Sequence, residues 1–229
     1  MKLIPNRSVT TGELINGTFR ELAAIKRPLG LYFGFFFAAA FITGFSSALS
    51  AVASIPLFIA YFAAQLYLYR QAMGLGGISM DDVGQVFGLL LMAIILAIPL
   101  YFSVFLLIVP AVLLGAKWVM APSYLVAEDR NFIDAIGASW SGSSGNLGSL
   151  SLSFFLIWLI WLAFVTLIGS LTGGLQSGFE IIGGLSTSGF GSGVSSLILH
   201  ALPVMLMGLS VTAYKALNDS SDDLVAIFE

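Results

Sequence analysis

The 229-residue chain has no cysteine, a single histidine and only nine lysines and arginines. Without cysteine there can be no disulfide, no thiolate metal site and no cysteine nucleophile, and the redox compartment is left open. One histidine, His200, rules out a multi-histidine metal site within one chain. Charged residues make up 9% of the sequence and hydrophobic residues 58%, against about 25% and roughly 45–50% in soluble domains. A soluble globule of this length is excluded. No Ser-His-Asp set, zincin helix, P-loop or cluster of intramembrane carboxylates is present. The expectation is therefore a non-enzymatic protein with no cofactor, no metal and no nucleic-acid partner.

What the chain does contain is long apolar runs. Six reach or approach the ~20 residues that cross a bilayer, at roughly 28–49, 52–73, 84–108, 110–127, 147–171 and 194–216. These predict an all-α, polytopic transmembrane helical bundle of six spans over 28–216. A cytoplasmic amphipathic segment (1–27) precedes it and a short acidic cytoplasmic tail (217–229) follows. Within the first segment Leu14, Ile15, Phe19, Leu22 and Ile25 share one helical face, and Glu13, Asn16, Arg20 and Glu21 fall largely on the other. That pattern predicts an interfacial helix capped by Thr10 or Thr11. The first long apolar run begins only after Pro28, which is not the layout of a cleavable signal.

Eight of the nine basic residues, all but Lys117, fall on one side of a six-span arrangement. By the positive-inside bias both termini are expected in the cytoplasm. Tight turns are expected near residue 50 and at Pro110, and a long Gly/Ser-rich connection at 172–193.

Four residues stand out as candidate lipid or ion contacts: Lys117, Trp118, Glu180 and His200. An ammonium deep in a span costs at least ~2.5–3.5 kcal/mol unless it finds a partner or snorkels. Lys117 thus either meets a headgroup or anion, forms half of a buried ion pair, or snorkels while Trp118 anchors beside it. Glu180 could partner it only if the 172–193 segment folds back into the membrane; otherwise that segment is an outer loop. His200, three residues before Pro203, either relays protons or bonds a neighbouring helix. Gly30-x-x-x-Gly34 and Gly84-x-x-x-Gly88 have the spacing that allows close helix approach.

The stretch from about Leu106 to Gly148 resembles the membrane domain of some glycerophosphoryl diester phosphodiesterases and of related uncharacterised bacterial six-span proteins. The resemblance rests on Pro110, Lys117-Trp118, Ala121-Pro122, Glu128, Ala135, Ser139-Trp140 and Gly145; Ala111 stands where a glycine often follows the proline. In the fused members a separate soluble domain carries out the hydrolysis. The resemblance thus implies a membrane module and no hydrolase. The expected role is lipid-associated or partner-holding, in the bacterial cytoplasmic (inner) membrane, with membrane lipids and a protein partner or second copy as the candidate contacts. The alternative is a small transporter or channel, oligomeric, with Lys117, Glu180 and His200 along its path.

Overall fold

The structure is a computed structural model that describes residues 8–106, 108–183 and 188–228. Among the described residues there are nine α-helices and no strands. The membrane bundle is all-α, as the apolar runs require.

Helix α1 (Thr11–Ala24) starts with a reciprocal cap: the Thr10 hydroxyl accepts from Glu13 N–H while the Glu13 carboxylate accepts from Thr10 N–H. Two of the four orphan amides of the helix start are satisfied in this way. The chain then bends by 77° into α2 (Lys26–Thr43). Ser46 caps α3 (Ser47–Met73) by accepting from Leu49 N–H, so the first turn lies at 44–46 rather than near residue 50. Helix α3 ends on Gly74, whose φ of 75° only glycine adopts freely, and Leu75 N–H returns to Arg70 C=O at 2.8 Å.

Helix α4 (Val83–Leu106) and helix α5 (Ile108–Trp118) pack together as a hairpin. Pro110 does not make the turn. It sits at the third residue of α5, within the first turn, where its missing N–H has no helical acceptor in any case. The fourth apolar run is interrupted at 119–120, with Pro122 in the first turn of α6 (Ala121–Ala127). A short α7 (Phe132–Gly142), capped by Asn131, packs against α6, α4 and α5.

Two long helices complete the chain, α8 (Leu147–Gly183) and α9 (Ser188–Phe228). The expected loop over 172–193 is instead helical up to Gly183 and again from Ser188. The tail beyond 216 continues α9.

Five stretches are long and apolar enough to cross a membrane on their own, and the bent α1–α2 pair supplies a sixth candidate. Their outer faces confirm the solvent they need. Val52, Leu31 and Ile55 are 77%, 71% and 70% exposed, an arrangement stable against hydrocarbon and costly against water. The protein is a multi-pass membrane protein. Its interior is packed around Leu66, Met92, Leu125, Ile157, Met207 and Leu209.

Charged side chains gather at one end of the bundle. Arg70 pairs with Asp82 at 2.8 Å, Lys215 with Glu21 at 2.8 Å, and the Tyr214 hydroxyl donates to Glu128 at 3.1 Å. These contacts bring the end of α3, the start of α4, the end of α6, α1 and the Lys215 region of α9 to a common polar face. Helix α1 lies across α9 there, with Leu14, Gly17 and Thr18 buried. Much of the face expected to rest on lipid is therefore covered by protein.

The Arg70–Asp82 link closes the turn at this end. Ser79 N–H donates to Asp82 Oδ2 at 2.7 Å and holds the carboxyl below the usual carboxylate range, helped by the Ser79 side chain and the Arg70 guanidinium. A carboxyl with a depressed folded-state pKa contributes stability above its unfolded-state pKa, and loses it as pH falls through the folded value. Acid melts of the purified protein should accordingly show a destabilisation below the usual carboxylate range that Asp82→Asn flattens. An unchanged acid limb in that variant would remove Asp82 from the explanation.

Candidate functional site

Lys117 and Trp118 lie at the end of α5, where the helix breaks. The break frees the Lys117 carbonyl, which accepts the Ser139 hydroxyl of α7 at 2.7 Å. This stitch places Trp140, the next residue of α7, over the lysine. Lys117 Nζ lies 5.2 Å from the centroid of the Trp140 ring and 3.3 Å from the Trp140 carbonyl oxygen. The Trp118 and Trp140 rings are 6.3 Å apart. The ammonium therefore has a π face, a carbonyl and the negative end of the α7 dipole. Among the described residues no carboxylate pairs with it: the ion pairs there take Arg70, Arg130 and Lys215.

The half-buried Lys117 thus sits against Trp140, with the Trp118 ring beside that of Trp140. Cation–π contacts are worth about 0.5–2 kcal/mol. That is less than the insertion cost of the charge, so an external anion would still gain by approaching it.

Glu180 falls in the last turns of α8, and its side chain lies outside the described residues. His200 sits elsewhere, on α9 facing α2 and α3. Its ring stacks on Phe36 at 4.3 Å and meets Tyr61 and Tyr32 at 5.4 and 5.6 Å. Nδ1 lies 2.7 Å from the Ser196 carbonyl, one turn back on the same helix. The structure does not bring Lys117 and His200 together, and none of the four cavities described includes Lys117.

Three features were missed in the sequence. One is the role of Trp140 as the lysine's partner; the Lys-Trp pair and the later Ser-Trp pair were visible, but not that α7 folds back onto α5. Another is the line of buried polar contacts that joins spans: Gln65 donates to the Tyr32 hydroxyl at 2.9 Å, and the Ser123 and Ser210 hydroxyls meet at 2.7 Å. The third is a crevice of about 420 Å³ at the polar end, with Asp81, Asp129 and Arg130 at its rim and Phe87, Leu91 and Leu125 along its wall.

The close-approach glycines also lie elsewhere than expected. Gly30, Gly34 and Gly84 have nothing near a would-be Cβ, and of the four only Gly88 makes a contact, against Leu125. Tight approaches include Gly17 on Thr212, Gly44 on Ser192, Gly115 on Phe154, Gly142 on Tyr124, Gly189 on Phe45 and the Phe41 carbonyl, and Gly193 on Phe37. Comparison with known proteins adds nothing to this geometry: no family model, curated protein or solved structure matches the chain.

Proposed function

We propose that this protein is a non-enzymatic, lipid-associated module of the bacterial cytoplasmic membrane, with both termini in the cytoplasm, and that Lys117 engages an anionic lipid headgroup. The observation that carries this reading is the lysine's surroundings. Among the described residues its ammonium meets a ring face and a carbonyl but forms no ion pair, although it lies within a span, whereas Arg70, Arg130 and Lys215 at the polar end pair with Asp82, Glu128 and Glu21. Flanking tryptophans are the usual residues of the headgroup level. The clustering of basic residues at one end supports the orientation.

Native mass spectrometry of the detergent-solubilised protein tests the lipid. The unmodified protein should retain an anionic phospholipid through delipidation. Lys117→Met should lose most of it, and Lys117→Arg should keep it, since only the charge is required. A folded Lys117→Met protein that retained the same lipid would end this role for the lysine. The alternative reading, a small transporter or channel, would have to run through the His200 groove without Lys117.

A further inference from the structure

A second site lies in the other half of the bundle. Between α2, α3 and α9 a groove of about 470 Å³ opens, lined by Phe36, Leu57, Phe58, Tyr61, Leu199 and His200 among others. This is within the size range of small-molecule sites. His200 stands fifteen residues before Lys215 on α9, about 22 Å along the helix, so the groove is far from the polar end.

The polarity of the groove can be read atom by atom. The Ser196 carbonyl can only accept, so His200 Nδ1 carries the proton in the 2.7 Å contact between them. A neutral imidazole with its proton on Nδ1 presents Nε2 as a bare acceptor. Nε2 has no hydrogen-bond partner among the described residues, although the histidine is only 9% exposed. The Tyr61 hydroxyl, on the same wall, also has none among the described residues. The other hydroxyls of the wall are satisfied by backbone: Thr43 donates to Ala39, Ser54 to Ala51 and Ser196 to Phe36.

An apolar groove with an open imidazole acceptor, an open tyrosine hydroxyl and no lysine or arginine in its lining selects its ligand by charge. A phospholipid phosphate or an ionised carboxylate would enter without a counter-charge, at high cost. A neutral O–H donor on an apolar chain satisfies Nε2 and leaves nothing unpaired. We propose that this groove binds a neutral lipid alcohol. Its hydroxyl donates to His200 Nε2 and accepts from the Tyr61 hydroxyl, and its chain lies along Phe36, Phe58 and Leu199. This inference rests on the membrane location alone and is independent of the lipid role of Lys117.

The test uses the full chain in nanodiscs and a diazirine-bearing hexadecanol as photoprobe, with labelled peptides mapped by mass spectrometry. Labelling should fall on α2, α3 and α9 around the groove, and unlabelled 1-hexadecanol should compete it away. The methyl ether of hexadecanol lacks the donor and should need about a tenfold higher concentration, the scale of one unmade hydrogen bond. Hexadecanoate at neutral pH should compete no better than the ether. His200→Phe keeps a stacking ring and should abolish the preference for alcohol over ether. Equal competition by alcohol and ether in the unmodified protein overturns the proposal without any variant. Labelling spread over the lipid-facing helices does so as well, as does an alcohol preference that survives in a folded His200→Phe protein. Loss of Lys117-dependent phospholipid would leave these results unchanged.

Discussion

Replacing Gly189 by leucine should leave little folded protein. A Cβ at this position would stand 2.4 Å from the Phe45 ring and 2.8 Å from the backbone oxygen of Phe41. The Phe45 ring is exposed and can swing away, but the carbonyl belongs to α2 and can move only with the helix. The same face of α9 carries Gly193, where a Cβ would meet Phe37 at 2.7 Å. Helices α2 and α9 form the most extensive pairing in the bundle, and small residues are what let helices approach closely in lipid. Overpacking a well-fitted interface costs about 1–3 kcal/mol and sometimes more. Gly30→Leu is the control, because nothing lies near a Cβ there. Size-exclusion profiles and thermal melts in detergent should separate the two variants clearly. Equal behaviour would mean that α2 and α9 do not meet through Gly189.

Gly17→Ala should release α1 from α9 while leaving the spans assembled. The new methyl would lie 2.3 Å from Thr212 Cγ2, and Thr212 is itself only 7% exposed. Losing this seat exposes Leu14 and Thr18, both fully buried, and weakens the hold of Glu21 on Lys215. Hydrogen exchange across residues 11–24 should speed up by at least about tenfold, the effect of ~1.4 kcal/mol in the opening equilibrium. Thr212→Ala removes the opposing methyl and should restore protection in the double variant, a coupling expected only of residues in contact. If protection stayed lost in the double variant, the damage would have to come from something other than this contact.

The spans were legible because their signal is local: a run of ~20 apolar residues needs no partner to be recognised. The capping of α1 by Thr10 was legible for the same reason, through Glu13 three residues later. Partner choice was not. Gly30-x-x-x-Gly34 has the spacing of a contact, but spacing does not say whether the stripe faces a helix or lipid, and here it has nothing packed on it. The Gly/Ser-rich composition of 172–193 suggests an outer loop or a re-entrant element. In lipid the backbone must satisfy its own hydrogen bonds, which favours helix even for such a composition; α8 runs on to Gly183.

The first turn lies several residues before the Ser-Ala-Leu-Ser-Ala segment that marks it in the sequence, because Ser46 caps α3 and that segment is already helical. Lys117 announced itself as a charge inside an apolar run, but Trp140 lies 23 residues away in sequence. Their meeting depends on the Ser139 hydroxyl finding the carbonyl freed at the break in the fourth run, a tertiary event with no local signature.

The six-span bundle depends on α2 crossing the membrane, and the absence of cysteine makes that directly measurable. Single cysteines at Gly12, Ser46 and Gly77 occupy exposed positions, and a Cβ at either glycine meets nothing within 4 Å. Each would be labelled in oriented membrane vesicles with a membrane-impermeant maleimide. Six crossings predict that positions 12 and 77 react from one side and position 46 only from the other. Reaction of positions 12 and 46 from the same side, with 77 opposite, would mean that α2 does not cross, and would contradict the six-span bundle with its single polar end.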